Sequence, residues 1–295
     1  MDYFLRNDQV ELRVSSLGAE IQSFKDQEGL EYIWQGDPAY WSGRAPHLFP
    51  ICGSLRENQA FYQEKLLKMP RHGLVRKKEF QVLEADESRL IFSIKPDSDM
   101  LEAYPFYFEL RVVYRLQGTT CSLTYQIYNQ DQEPLPFFIG GHPAFICPLL
   151  ADEDFSDYEL DFCKNLDLSY PTCLPSGLID RKKRSPLPLE NGRLSLSYQL
   201  FDQDSLIFEN LESKKVTLRS KKSGHGLEVS FKDFAHLILW TSANQGPFLA
   251  IEPWSGLSMD TEESDNFAER KGLAFVQPGQ MKSYAYDIKI IEKEV

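Results

Sequence analysis

A chain of 295 residues, 42% hydrophobic and 13% aromatic, is long enough to bury a sizeable core in one large domain. Its formal net charge of -12 argues against nucleic acid or an anionic membrane as the main partner and suits a neutral small molecule as substrate. No stretch approaches the length of a transmembrane helix.

Residues 1–8 lack the basic region and apolar core of a signal peptide. The five cysteines, Cys52, Cys121, Cys147, Cys163 and Cys173, are scattered, odd in number and without a C-x-x-C pair. They read as reduced thiols in a cytoplasmic protein, with no disulfide framework and no zinc site.

Period-two alternation then sets the order of elements. Strands are predicted over 11–14, 80–84 and 89–95, followed by a short helix over 97–103. Phe108, Leu110, Val112, Tyr114 and Leu116 share one face of the next strand, and Cys121, Leu123, Tyr125 and Ile127 one face of its partner. Gln117-Gly118-Thr119-Thr120 between them is a hairpin turn. Strands follow over 136–139 and 158–162. Residues 171–191, with four prolines and the basic run Arg181-Lys182-Lys183-Arg184, read as a solvated loop rather than a phosphate or nucleic-acid contact. Further strands are predicted over 215–219, 226–231, 236–241, 248–252 and 284–291, with a second short helix over 263–270. Many short strands joined by turns point to an all-β, large antiparallel β-sandwich or barrel, and the absence of a linker makes residues 1–295 one domain.

Two segments stand out for chemistry. Gly140-Gly141-His142-Pro143 and Phe248-Leu249-Ala250-Ile251-Glu252-Pro253-Trp254 each place a titratable side chain at the end of an apolar run, before a proline expected to stop the strand. A carboxylate after such a run is costly to bury without a partner or a task. Together, a histidine and a glutamate supply a general acid and a general base. His142 can equally be a core histidine bonded to a carbonyl. His72, in Pro70-Arg71-His72-Gly73-Leu74-Val75-Arg76, lies in a cationic cluster suited to sugar hydroxyls, a carboxylate or a phosphate, or in an ordinary surface turn. Arg44 either reaches a ligand or pairs with one of the many acids. His47 reads as structural, His225 as a turn residue and His236 as core or edge. Asp204 reads as a turn residue with ligand binding as the alternative. Trp254, Phe49 and Phe145 can stack on a sugar or fill the core. A Gly-rich phosphate loop, a G-x-S-x-G elbow and an H-E-x-x-H pair are all missing.

Arg44-Ala45-Pro46 with Leu48-Phe49-Pro50, His72-Gly73-Leu74-Val75-Arg76, Gly141-His142-Pro143-Ala144-Phe145 and Ile251-Glu252-Pro253-Trp254 occur in one order along the chain. In that order the sequence resembles the galactose mutarotase (aldose 1-epimerase) superfamily, and within it the LacX-like branch, from about residue 7 to about residue 291. The resemblance implies a supersandwich fold and a cofactor-free site on a concave face. It implies His142 as general acid, Glu252 as general base, and Arg44, His72 and Asp204 as sugar-binding residues. Arg76 stands where relatives acting on hexose 6-phosphates also carry arginine, and Trp254 completes the expected substrate-binding set. The better-known mutarotases carry a longer N-x-L-H-G-G type motif, and an aromatic pair after the catalytic histidine where this chain has Pro143-Ala144-Phe145.

The expected reaction is interconversion of the α and β anomers of a hexose such as galactose or glucose, by a monomer or homodimer whose partner is a small sugar. Two alternatives are a hexose-6-phosphate 1-epimerase and a non-catalytic carbohydrate-binding protein on the same fold. A glycoside hydrolase would need paired carboxylates and would leave His142 without a role.

Overall fold

The computed structural model describes residues 1–164 and 168–291. Alternation yields the long strands: Phe108–Gln117 and Thr120–Asn129 pair antiparallel over ten residues, Cys121 facing Leu116 and Asn129 facing Phe108. They form the middle of a nine-stranded sheet. Arg89–Ile94 and Gln81–Ala85 extend it on one side; Met281–Ile291, Gly226–Ser230, Lys215–Ser220, Tyr158–Asp161 and Arg193–Ser195 extend it on the other. A second sheet of six strands runs from Leu206–Glu209 through His236–Trp240 and Phe248–Trp254 to Gly140–Gly141 and His47–Leu48. Its sixth strand, Ala144–Ile146, also pairs with Phe248–Trp254.

All these pairings are antiparallel, and the fold is an all-β sandwich. The two sheets interlock through aromatic side chains on their inner faces. The His47 ring lies 5.3 Å from that of Tyr125, and Phe162 lies 5.7 Å from Phe208. At Gly141 the sheets approach so closely that an added Cβ would fall 2.7 Å from the Tyr286 hydroxyl. His47 is fully buried, with Nε2 3.0 Å from the Ala19 carbonyl and Nδ1 2.8 Å from the Tyr125 hydroxyl. Burial pushes its pKa down to about 4, so it is a neutral core residue, as expected.

One helix forms as expected, and several other expectations need correction. The first helix forms over Ser98–Ala103, capped by the Asp97 carboxylate accepting from the Met100 N–H. The second reduces to a 3-10 turn, Phe267–Glu269, after Asn266. The basic run lies not in a loop but on the strand Ile179–Pro186, which pairs with Ser169–Cys173 in a two-stranded ribbon. Such a ribbon has only edges, where prolines are tolerated, and a bulge between Pro171 and Thr172 absorbs the irregularity. Arg181 and Arg184 both bond Glu209, Lys182 bonds Glu262 and Lys183 lies 3.9 Å from Asp180, so the whole run is paired with protein carboxylates.

Pro253 does not stop its strand, which runs through Trp254. In an antiparallel strand successive N–H groups point to alternate sides. The Ile251 N–H reaches the Pro143 carbonyl at 3.0 Å, so position 253 faces the same neighbour. That neighbour is interrupted at His142-Pro143, between Gly140–Gly141 and Ala144–Ile146. With Gly140 opposite Trp254 and Ala144 opposite Ala250, position 253 stands opposite Gly141, the last residue before that interruption, so the missing N–H costs the ladder one bond at the edge of the break.

Candidate active site

The same alternation decides which side chains leave the core. On Phe248–Trp254, Leu249 and Ile251 join the main core, while Ala250 packs in a separate small cluster with Trp34 and Phe248. Glu252 follows Ala250 at the two-residue spacing, and both face a cavity side of the sheet. Ile238 pairs with Glu252 and Trp240 with Ala250 on the adjacent strand. His142 occupies the interruption in the strand on the other flank. The result is a cavity of about 460 Å³ whose wall includes His142, Glu252, His72, Asp204 and Trp240, within the range of small-molecule sites.

His142 Nε2 lies 3.3 Å from Glu252 Oε2, with the two side chains 10% and 1% exposed. Burial pushes the imidazole down to about 3, with the charges of Arg71 and Arg76 acting in the same direction. It also holds the Glu252 carboxyl well above its ordinary value, and Arg71 opposes that rise. Both groups are therefore driven toward their neutral forms by the same loss of water.

His72 sits at the tip of a turn with φ of +70°, followed by Gly73 at +79°. A Cβ at Gly73 would meet the Phe49 carbonyl oxygen at 2.1 Å, so this turn requires glycine there. The Gly53 N–H donates to His72 Nδ1 at 3.2 Å, and burial disfavours the charged ring. The proton of the neutral imidazole is thereby assigned to Nε2. Asp204 also has a positive φ, +76°, and its Oδ1 is buried with no partner among the described residues. The indole N–H of Trp254 is buried beside the Glu252 carboxyl, whose raised pKa it opposes.

Six of the seven residues singled out from the sequence, namely His142, Glu252, His72, Asp204, Arg76 and Trp254, line this one cavity. Arg44 does not. Its Nη1 donates to Gln22 Oε1 at 2.7 Å, and the Glu20 carboxylate accepts from the Arg44 and Ala45 N–H groups. Arg71 enters the lining instead, and Arg76 Nη2 donates to its carbonyl at 3.1 Å. Trp41 and Trp240 were not predicted as site residues. Trp240 was legible, because it shares the two-residue spacing of Ile238 on a predicted strand. Trp41 lies on an irregular loop where no period exists.

The family model described as aldose 1-epimerase matches residues 1–289. The chain is 46% identical to the plasmid-encoded protein LacX of Lactococcus lactis subsp. lactis, over 97% of this chain and 98% of that protein. Among solved structures, a galactose mutarotase related enzyme from Lactobacillus acidophilus superimposes with a TM-score of 0.92 at 28% identity, covering all of both chains. A galactose mutarotase-like protein from Lactobacillus casei superimposes with a TM-score of 0.91 at 30% identity, over 99% of this chain and all of that one.

Proposed function

Because this chain belongs to the aldose 1-epimerase family, we propose that it interconverts the α and β anomers of a hexose such as galactose or glucose. The observation that carries the reading is the buried contact between His142 Nε2 and Glu252 Oε2 on the cavity wall.

A neutral imidazole facing a carboxylic acid holds as many protons as an imidazolium facing a carboxylate, so the pair titrates as a unit. One proton transfer across the 3.3 Å contact converts the resting form into the charged one. In the charged form Glu252 takes the proton of the anomeric hydroxyl while His142 protonates the ring oxygen. The bond from the anomeric carbon to the ring oxygen breaks, and the anomeric carbon becomes the aldehyde carbon. The pair is left as neutral imidazole and carboxylic acid, the form that burial favours. Rotation about the bond to the neighbouring carbon presents the other carbonyl face, and closure reverses both transfers. His72 Nε2–H donates to a sugar oxygen, Asp204 accepts from a hydroxyl, and Trp254 supplies an apolar face. Arg71 takes the place expected of Arg44 as a guanidinium donor, beside Arg76.

The test is polarimetry of freshly dissolved α-D-galactose and α-D-glucose, with the wild type beside Glu252→Gln. The wild type should accelerate mutarotation, and the variant should lose about 10²- to 10⁴-fold in rate, the usual contribution of a general base. Near-normal activity of the variant would sink the assignment.

One observation favours a second reading. Arg71 and Arg76 line the cavity and, among the described residues, neither forms an ion pair with a carboxylate. Two such cations suit a phosphate, as a hexose-6-phosphate 1-epimerase needs. Exchange NMR on free and 6-phosphorylated hexoses, run with the same two proteins, separates the two substrates.

A further inference from the structure

A catalytic histidine is usually oriented by a hydrogen bond to the ring nitrogen that does not react. In His142 no other residue supplies this. Its Nδ1 is buried, and among the described residues the only polar group beside the ring nitrogen is its own backbone, outside good hydrogen-bond geometry. Aromatic rings surround the imidazole instead. Trp41 stacks on it with ring centroids 4.8 Å apart and planes inclined by 27°. Trp240 meets it edge-on at 5.6 Å and His72 at 5.5 Å. Trp240 also meets Trp41 edge-on at 5.5 Å.

The loop that carries Trp41 is firmly built. Its N–H donates to the Asp37 carbonyl at 2.9 Å, and its own carbonyl accepts from the Trp34 indole at 2.8 Å. Asn244 Nδ2 donates to the Ala39 carbonyl at 2.7 Å, tying the loop to the far side of the cavity. Three residues on, the chain bonds to the strand segment holding the histidine: the Ala144 N–H donates to the Arg44 carbonyl at 2.8 Å and the His142 N–H to the Pro46 carbonyl at 3.0 Å. Gly43 leaves room for the indole, since a Cβ there would lie 2.4 Å from the Trp41 ring.

We propose that Trp41 is a positioning residue: its indole plane fixes the His142 imidazole in the orientation that presents Nε2 to Glu252 and the sugar, in place of a hydrogen bond from another residue at Nδ1. This rests on the epimerase reading and adds to it. The π face of the indole also attracts a cation, so it favours the imidazolium that must form before ring opening. The titratable groups that line the cavity with the ring are Glu252, His72, Arg71, Arg76, Asp202 and Asp204; of these only Glu252 stabilises the imidazolium through a direct contact.

The experiment compares wild type, Trp41→Leu, Trp41→Phe and Gly43→Ala. Anomer exchange kinetics give kcat and KM, and NMR of the histidine rings gives the environment of His142. Trp41→Leu should lower kcat by roughly 10- to 100-fold, the scale expected for a displaced catalytic group, with KM within about threefold of wild type. Trp41→Phe should recover most of kcat. Gly43→Ala keeps the indole but pushes it aside, so it should behave like Trp41→Leu. In wild type the His142 ring protons should carry the upfield shift of a stacked indole and report a single tautomer. Both features should be lost in Trp41→Leu. A raised KM with unchanged kcat would overturn the proposal, making Trp41 a sugar platform only. So would His142 signals that stay upfield-shifted with one tautomer in both displaced variants. If the wild type exchanges no aldose, the epimerase reading fails, and the NMR comparison still decides whether Trp41 orients the ring. Thermal melts identify any variant that is simply unfolded, and Trp41→Phe then carries the comparison.

Discussion

Glu252 and His142 pull stability in opposite directions along the pH axis. The folded state holds the Glu252 carboxyl above its ordinary value near 4.5, so it binds more proton than the unfolded chain as pH rises past that value. Its contribution to stability is full below about pH 4.5 and is lost as pH climbs toward the raised pKa. His142 is lowered from 6.5 to about 3, so the unfolded chain binds more proton in that window, and stability is lost as pH falls from 6.5. Glu252→Gln removes the first penalty while keeping the shape of the side chain. Its melting temperature should match wild type near pH 4.5 and exceed it by a few degrees at pH 8. Calorimetry across that range checks the sign, and a difference that does not grow with pH would contradict the buried, proton-binding carboxyl. This residue-scale conflict was legible in the sequence, because a glutamate after Phe248-Leu249-Ala250-Ile251 cannot avoid burial. What could not be read was that Arg71 rather than Arg44 reaches the cavity. That choice depends on a turn with two successive positive φ values and on the Glu20 and Gln22 side chains that retain Arg44, and neither leaves a local pattern.

At the scale of elements, the long strands follow from period-two alternation, and their predicted bounds agree with those observed to within a few residues. Two short pieces beside the site do not. His47–Leu48 and Gly140–Gly141 are two-residue strands, too short to display any period. The ribbon of Ser169–Cys173 and Ile179–Pro186 was masked by its prolines and cations. It is anchored by charge: Arg181 bonds Glu209 and Glu263, and Glu263 also pairs with Arg270 at 3.2 Å, whose side chain is only 3% exposed. Arg270 lies over the Phe138 ring and donates to the Leu257 carbonyl at 2.5 Å. Removing the carboxylate from a buried pair strands the cation, at a cost of about 3–5 kcal/mol. Glu263→Ala should therefore lower the urea midpoint strongly. Glu262→Ala removes only the contact to Lys182, which is 74% exposed, and should leave the midpoint nearly unmoved. Equal shifts for the two variants would mean that the buried network does not hold the ribbon.

For the molecule as a whole, the sandwich couples the site to the opposite sheet. Gly141, one residue before His142, touches Tyr286 in the middle of the nine-stranded sheet, where a methyl group does not fit without movement. Gly141→Ala should cost about 1–3 kcal/mol from overpacking and should also depress anomer exchange, because the displaced strand carries the imidazole. Urea denaturation and polarimetry on one preparation test both. Loss of stability with full activity would show that the histidine is positioned independently of the sheet contact.

The proline at 253 has a wider consequence. In a fully laddered antiparallel sheet the N–H groups between neighbouring strands are all committed, and the backbone beside a cross-strand pair has no slack. Here one strand breaks at His142-Pro143, and the strand beside it has no hydrogen to offer at position 253, opposite Gly141, the residue before the break. The two prolines drop two stitches, one on either side of the level where His142 faces Glu252, and that loosened weave is where the chemistry fits. Giving position 253 an N–H would restore one stitch, opposite Gly141, and tighten the weave beside the imidazole.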